Sequence, residues 1–381
     1  MGSRSSERAT GKFVMEFPGD QLVHRLSQVS HIIIKVGTGI LTPHIDSPEN
    51  YFSILANEVA AIIKTGRKAI IVTSGAVGYG RRMYSASGDD IVSRQALASL
   101  GQGLLIETWR KSFEKQGLKA AQILLTRADF NHQTHFNNMR NTLDRLLEWN
   151  CVPIINENDA VAIAELKLGD NDTLSAAIAA LYSRSLLILL TTAPGYLENQ
   201  RLIPFLSEVG ETQMKHAGGA AAGGTGGMRT KMVAARKILQ AGQMMNISSG
   251  TDASIIQRIM RADSVGTWVF DPDTYSTLSA RKRWLLHNKH PRAKLILDNG
   301  AVQALRSKPV SLLSVGIDSV VGNFSKGDAV ELLDQQKTPF ARGIAQIDSF
   351  QLQKLVSSED RPRGLEVVHR DNLVLLQDQD Y

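Results

Sequence analysis

Between His31 and Phe270 the chain alternates short, almost wholly apolar runs with longer stretches in which apolar residues return every three or four positions. His31–Val36 (His-Ile-Ile-Ile-Lys-Val) reads as a buried strand, β-branched and closed by Gly37. Over Glu49–Lys64, Phe52, Leu55, Val59 and Ile62/Ile63 share one face, which predicts a helix. Lys68–Thr73 is the next strand and runs into Ser74-Gly75-Ala76. The same spacings predict helices over Val92–Lys115 and Asn137–Trp149, strands at Gln122–Thr126, Val152–Asn156 and Leu186–Thr191, and a helix opening near Asp172. Met228–Ala241, with Met228, Met232, Ala235 and Leu239 in helical register, precedes strands at Met244–Ser248 and Gly266–Phe270. Apolar strands alternating with amphipathic helices predict an α/β fold, a three-layer αβα sandwich around a mainly parallel sheet. Such sheets bind ligands at the carboxyl ends of their strands, so polar residues just after strands carry the most information.

Near Tyr275 the pattern changes. Beyond Trp284 come short alternating runs at Lys294–Leu297, Leu312–Val315, Ala329–Leu333, Arg342–Ala345 and Leu373–Leu376, which predict a small β-rich domain. The chain divides into an N-terminal extension (1–29), an α/β domain (30–275), a linker (276–292) and the small domain (293–381). Residues up to about Leu26 are polar apart from Phe13, Val14 and Phe17, and read as loosely held. The linker carries Arg281-Lys282-Arg283, Lys289 and Arg292, read as a solvated face, with a nucleic-acid contact as the lesser alternative.

Composition narrows the setting. Of 381 residues, 43% are hydrophobic, ample for a substantial core. The single cysteine, Cys151, forms no internal disulfide and suits a reducing compartment. No apolar run approaches the roughly 20 residues that span a bilayer, so a cytoplasmic protein without membrane contact is expected. A net charge of +6 fits small anionic ligands at least as well as nucleic acid.

Five stretches carry candidate chemistry. Gly223-Gly224-Thr225-Gly226-Gly227 leads into the Met228 helix, and a flexible loop feeding a helix N-terminus is a natural cradle for phosphate. A mobile surface loop would show the same pattern, and no G-x-x-x-x-G-K-[ST] motif is present. Lys231, in the first turn, could curl back to the same anion. Lys35 ends an apolar strand before Gly37-Thr38-Gly39, where a lysine is costly unless it faces an anion or carboxylate. Thr73-Ser74-Gly75-Ala76, Asn156-Glu157-Asn158-Asp159 and Gly169-Asp170-Asn171-Asp172 follow strands or open a helix, as sites, turns or caps do. Two lysines, a glycine-rich nest and separate acidic and amide clusters suit phosphoryl transfer to a small zwitterionic acceptor. His132 and His135 sit in a polar stretch and read as solvent-facing.

Six motifs in order resemble the glutamate 5-kinases of the amino acid kinase family: Lys35-Val-Gly-Thr, Val72-Thr-Ser-Gly-Ala76, Leu124-Leu-Thr-Arg-Ala-Asp129, Ile155-Asn-Glu-Asn-Asp-Ala-Val161, Gly169-Asp-Asn-Asp172 and Gly224-Thr-Gly-Gly-Met-Arg-Thr-Lys231. The segment 316–328, with Val321-Gly-Asn-Phe-Ser-Lys-Gly-Asp328, resembles a PUA domain. The resemblance implies an amino acid kinase fold and phosphorylation of the L-glutamate side-chain carboxylate by ATP with Mg²⁺, opening proline biosynthesis. It further implies feedback inhibition by proline and a homo-oligomer, a dimer or tetramer. By position, Lys35 and Lys231 would stabilise the transferring phosphoryl group and Asp172 would orient them. Ser74, Asn156, Asp159, Asp170 and Asn171 would line the glutamate site. Lys35, Thr191 and Thr192, with Thr225, Gly226, Gly227, Met228, Arg229, Thr230 and Lys231, would line the nucleotide, and Mg²⁺ would be held mainly through ATP rather than by protein ligands.

Three positions depart from the family pattern. Thr191-Thr192-Ala193-Pro194-Gly195-Tyr196 replaces Thr-Asp followed by Lys-Gly-Leu-Tyr, in a shortened segment. Gly39 replaces a serine, and Ser249-Gly250-Thr251-Asp252 replaces Ser-Lys-Pro-Gly. The alternatives are a relative acting on acetylglutamate, aspartate or carbamate, and an RNA-binding protein with a degraded kinase core. The acidic and amide clusters favour a free ammonium group over the acetylated and carbamate acceptors.

Overall fold

The computed structural model describes residues 17–41, 48–84, 90–130, 133–161, 171–218, 227–273, 279–287, 291, 293–358, 362 and 364–376. The first half runs α1 (Gly19–Ser27), β1 (His31–Val36), α2 (Thr38–Leu41), α3 (Pro48–Lys64), β2 (Lys68–Val72), α4 (Ala76–Met83), α5 (Ile91–Glu114), β3 (Lys119–Leu125), α6 (Gln133–Glu148) and β4 (Cys151–Glu157). There follow α7 (Asn171–Ala179), β5 (Ser185–Thr191), β6 (Leu197–Glu198), β7 (Arg201–Leu202), β8 (Phe205–Leu206), α8 (Glu211–His216), α9 (Met228–Gln240), β9 (Met244–Ser249), α10 (Ile255–Met260) and β10 (Thr267–Val269). The remainder comprises α11 (Ala280–His287), β11 (Ala293–Leu297), α12 (Asn299–Ser307), β12 (Leu312–Leu313), β13 (Ile317–Val321), β14 (Ala329–Leu333), β15 (Pro339–Ala345), α13 (Ser349–Val356) and β16 (Glu366–Leu375).

The large sheet has eight strands in the order β3-β4-β2-β1-β5-β9-β10-β8. Its pairings are parallel except β9 with β10. Side chains alternate along a strand, so its two faces feed two cores. Ile33, Leu187 and Leu189 pack with Leu143 of α6, Leu174 and Ile178 of α7 and Met232 of α9. Ile32, Ile34, Leu186 and Ile188 pack with Leu22 of α1, Phe52 of α3, Trp109 of α5 and Ile259 of α10. Lys35 shares the parity of Ile33 and so belongs to the face covered by α7 and α9. This confirms the sandwich expected from the sequence and assigns that lysine its side.

A second sheet, β12-β16-β15-β14-β11-β13, encloses its own core of Leu295, Leu297, Val330, Leu332 and Val367. It is antiparallel except for β11 with β14. The small β-rich domain expected from the sequence is present; α12 and α13, which accompany its strands, and β13 were not anticipated. Each of these helices is short and buries only two residues, Val302 and Leu305 in α12 and Ser349 and Leu352 in α13. That is too few repeats for a helical period to show.

Two further expectations are corrected. Gly19–Ser27, within the supposed loose extension, is a helix that buries Leu22 and Leu26 one turn apart, and Arg25 with them. The basic stretch is not simply a solvated linker, because α11 is built into both halves of the molecule. Arg283 is 3% exposed and donates from Nε to the Ala180 carbonyl at 2.7 Å and from Nη2 to that of Leu181 at 3.3 Å. Burial lowers its pKa to about 10. Trp284 donates to the Phe130 carbonyl, and Arg342 of β15 donates to the Leu286 carbonyl at 3.3 Å. Arg281 reaches Asn372, while Lys289 and Arg292 lie outside the described residues.

α4 crosses α5 at backbone contact. A Cβ on Gly101 would lie 1.9 Å from the Ala76 carbonyl oxygen, and one on Gly80 1.9 Å from that of Leu97. Gly101→Ala is therefore expected to force the helices apart and cost about 1–3 kcal/mol, read as a lower urea midpoint at unchanged slope.

His31 opens β1 with its ring stacked on Tyr182 at 3.9 Å. Burial, then Lys68 and Arg140, lower its pKa from 6.5 to about 4. Between those values the unfolded chain takes up a proton that the folded chain refuses, so stability falls as pH drops from 6.5 to about 4. The expected contribution approaches about 1.4 kcal/mol per pH unit, and His31→Phe should remove it in denaturation curves taken across that range.

Candidate functional site

The carboxyl ends of β1, β2, β4 and β5 and the amino ends of α7 and α9 meet on the face that Lys35 points to. Asp172, second residue of α7, is 0% exposed and lies between two lysines. Its Oδ1 is 2.7 Å from Lys35 Nζ and its Oδ2 is 3.0 Å from Lys231 Nζ. Thr230 donates from Oγ1 to the same Oδ2 at 3.0 Å, and its hydroxyl also lies 2.8 Å from the Gly227 carbonyl. Both lysines are 5% exposed. One carboxylate against two ammonium groups leaves a net positive charge in a poorly hydrated setting, where it acts strongly on any anion that enters. A Cβ on Gly37 would lie 3.3 Å from the Leu190 carbonyl oxygen and in ordinary contact, at 3.6 Å, with Lys35 Nζ.

Beside this clamp runs an amide network. Asn171 donates from Nδ2 to the Thr73 carbonyl at 2.8 Å, Ser74 Oγ at 2.6 Å and Asn156 Oδ1 at 3.2 Å. Asn156, 2% exposed at the end of β4, donates to Gln102 Oε1 at 2.8 Å and receives the Glu157 amide at 2.9 Å. Trp109 donates to Thr73 Oγ1 and fixes that turn from below. These partners determine the orientation of the Asn171 amide and leave its Oδ1 buried without a hydrogen-bond partner. A buried, unmet acceptor calls for a donor from a bound molecule.

The structure thus brings together Lys35, Lys231, Asp172, Ser74, Asn156 and Asn171. Asp159 is half-buried in the turn after β4. Thr191 ends β5 and accepts the Gly250 amide at 2.9 Å, and Thr192 is exposed beside Gly39. Gly227 caps α9, Arg229 is exposed, and Met228 packs against the core. Asp170, Thr225, Gly226 and the other glycines of the loop lie outside the described residues. His135 is exposed, 3.7 Å from Asp129, and His132 is outside the described set. Sequence reasoning missed Gln102 and Trp109. Gly101-Gln102-Gly103, polar and small in mid-helix, was the available signal for the first; nothing distinguished Trp109 from an ordinary core residue.

Tyr51 donates to the Gly250 carbonyl at 2.9 Å, and burial pushes its phenol well above the ordinary range, so it remains a neutral donor. Among the described residues no group of three His, Cys, Asp or Glu side chains could hold a metal ion.

The amino acid kinase family matches residues 30–247, and the PUA domain matches residues 293–359. Glutamate 5-kinase of Shewanella amazonensis is 39% identical over 365 residues, 91% of this chain and 96% of that relative. That of Synechococcus elongatus is also 39% identical, over 90% of this chain and 99% of its own length. The Caldanaerobacter subterraneus enzyme of the same name is 38% identical over 91% and 98%.

Asp172→Asn leaves two buried ammonium groups without their counter-charge. We expect it to destabilise the fold by about 3–5 kcal/mol in urea unfolding, whereas a change at exposed Arg229 should alter stability by less than about 0.5 kcal/mol.

Proposed function

This chain belongs to the amino acid kinase family, in its glutamate 5-kinase branch, and from that premise we propose that it transfers the terminal phosphoryl group of ATP to the side-chain carboxylate of L-glutamate. The product is γ-glutamyl phosphate, the first intermediate of proline biosynthesis. The observation that carries the reading is the buried carboxylate of Asp172 with a lysine on each oxygen, one from β1 and one from α9. The two ammonium groups are thereby fixed at the point where a phosphoryl group would pass.

A glutamate carboxylate oxygen forms the new P–O bond as the bond from the terminal phosphorus to the β,γ-bridging oxygen breaks, and ADP leaves. The attacking carboxylate is ionised at neutral pH, so no general base is needed. Lys35 and Lys231 neutralise charge spread over the transferring oxygens. Asp172 acts as a positioning residue: it holds both lysines in place before the substrates arrive. Asn171 Oδ1 supplies an acceptor for the substrate's ammonium group, with Ser74 and Asn156 holding that amide in orientation. That polar pocket favours a free amino group over an acetylated one.

Mg²⁺ supplies charge neutralisation on the nucleotide's phosphates when bound. It would be held mainly through the nucleotide rather than by protein ligands. Proline as an inhibitor, a homo-oligomeric state and a cytoplasmic location complete the reading. The half-buried thiol of Cys151 suits the last, and no helix among the described residues is long and apolar enough to cross a membrane. Exposed Leu100 and Leu104 of α5 next to the edge strand β3 offer an apolar surface for self-association. RNA binding by the PUA domain is the second reading, but Arg283, part of its basic support, is buried and engaged with α7.

Trapping the acyl phosphate with hydroxylamine should give hydroxamate only with ATP and L-glutamate, and Lys231→Ala should lower kcat by a factor on the order of 10²–10³. Hydroxamate from N-acetylglutamate or aspartate but not glutamate would overturn the substrate assignment.

A further inference from the structure

Gln102 belongs to the amide network beside the clamp, yet holding Asn156 accounts for only half of its amide. It sits half-buried in the middle of α5, between Gly101 and Gly103. A Cβ on Gly101 would lie 1.9 Å from the Ala76 carbonyl oxygen, so α5 is drawn against the chain two residues beyond Ser74. The Gln102 side chain is thereby delivered to the carboxyl ends of β2 and β4, where Asn156 Nδ2 donates to its Oε1 at 2.8 Å.

Backbone groups fix which way each of these amides points. The Glu157 amide can only donate, so the Asn156 atom that meets it at 2.9 Å is Oδ1 and the other is Nδ2. That nitrogen can only donate in turn, which makes the Gln102 atom facing it Oε1 and puts Nε2, with two N–H groups, at the far end. Gln102 Nε2 has no partner among the described residues. Ser74, 9% exposed, receives Asn171 Nδ2 at 2.6 Å, and its own hydroxyl proton meets no acceptor among them either. The Thr73 carbonyl holds Asn171 Nδ2 in place and leaves Asn171 Oδ1 as a buried, unmet acceptor. The network thus offers two donors and one acceptor, all uncharged, next to a cationic clamp.

We propose that Gln102 is a substrate-binding residue: its Nε2 donates to the α-carboxylate of the amino acid acceptor, with the Ser74 hydroxyl as a second donor, while Asn171 Oδ1 takes the ammonium group. The inference rests on the reading of the acceptor as L-glutamate, and it assigns that molecule's two carboxylates to different partners. Uncharged donors suit a singly charged carboxylate, whereas two ammonium groups suit the more heavily charged phosphoryl group. Donors and an acceptor side by side match the α-carbon end of an amino acid, where carboxylate and ammonium are neighbours. With that end held against α5 and β2, the side-chain carboxylate is the one left to reach Lys35 and Lys231. Gln102 therefore determines which carboxylate is phosphorylated and makes the α-carboxylate a requirement for tight binding.

Two variants separate donation to the substrate from support of Asn156. Gln102→Glu keeps an oxygen for Asn156 Nδ2 and removes the donor, whereas Gln102→Met removes both. L-Glutamate binding to the full-length protein is measured by calorimetry. Turnover of L-glutamate and of 4-aminobutyrate, which is glutamate without its α-carboxylate, is measured by hydroxamate trapping. Both variants should weaken L-glutamate binding on the order of 10–100-fold, with the KM for ATP within about twofold of the unaltered protein. The advantage of L-glutamate over 4-aminobutyrate should fall at least about tenfold in Gln102→Glu. Weaker binding in Gln102→Met alone would mean that Gln102 merely holds Asn156, and an equal loss with 4-aminobutyrate would mean general damage to the site; either result overturns the proposal. If the unaltered protein binds L-glutamate without forming hydroxamate, the kinase reading fails, while weaker binding by Gln102→Glu still upholds the contact. If it binds no L-glutamate, both fall.

Discussion

A single buried carboxylate holds the working parts of this protein together. Asp172 is fully enclosed, and burying an ionised group is tolerable only when its charge is matched. The match comes from two distant segments, β1 and α9, whose residues lie 196 positions apart in the chain (231 − 35). Neither lysine would be stable there alone: each depends on the aspartate, and the aspartate on both. The result is an arrangement that enforces its own geometry before any ligand binds, with one unit of positive charge left over among these three side chains. Preorganised charge of that kind does not have to be gathered when an anion enters.

The helix that carries Asp172 is secured at its far end as carefully as at its near one. Its last turns leave carbonyls that no intrahelical donor can reach. Gln243, from the turn before β9, satisfies those of Ala179 and Tyr182, and Arg283, from α11, satisfies those of Ala180 and Leu181. Arg342 of the PUA domain in turn satisfies carbonyls at the end of α11 and is itself paired with Glu331 at 3.7 Å. The C-terminal domain thus meets the kinase core through guanidinium–carbonyl bonds that end just after the helix carrying Asp172. A flexible tether would require none of these contacts. Burial of Arg283 explains why a stretch that looks, by composition, like a solvated basic linker contributes to the structure.

Much of this was legible in the sequence, for physical reasons that differ by element. The strands of the large sheet were readable because a parallel strand covered on both faces must be apolar throughout, as Ser185–Thr191 nearly is. Lys35 stood out against that rule, and the polar clusters after β2 and β4 stood out because strand ends are where such sheets expose chemistry. What stayed hidden depends on contacts distant in sequence. Gln102 is a site residue only because Asn156 happens to face it, and α1 is ordered only because Leu22 and Leu26 find a core to enter. α11 looks polar because its arginines are charged, yet Arg283 is buried against backbone carbonyls that no composition reveals. The face on which Lys35 emerges follows from period-two alternation, but only once α7 and α9 are known to cover that side.

The three departures from the family pattern, scattered in the chain, prove to be neighbours. A Cβ on Gly39 would lie 3.2 Å from the Thr192 methyl carbon, so the glycine accommodates the threonine. Thr191 accepts the amide of Gly250, and a Cβ on Gly250 would come within 3.0 Å of the Tyr51 hydroxyl and 3.2 Å of Ile40, the residue after Gly39. A lysine at 250 would have to displace Tyr51, whose hydroxyl now donates to the Gly250 carbonyl. A serine at 39 would press on Thr192. Each substitution therefore makes sense in the presence of the others, as one repacked rim on the ends of β1, β5 and β9. None of its members touches Asp172, Lys35 or Lys231 in the contacts described. Physical separation of this kind lets the rim be repacked without disturbing the buried charges around Asp172.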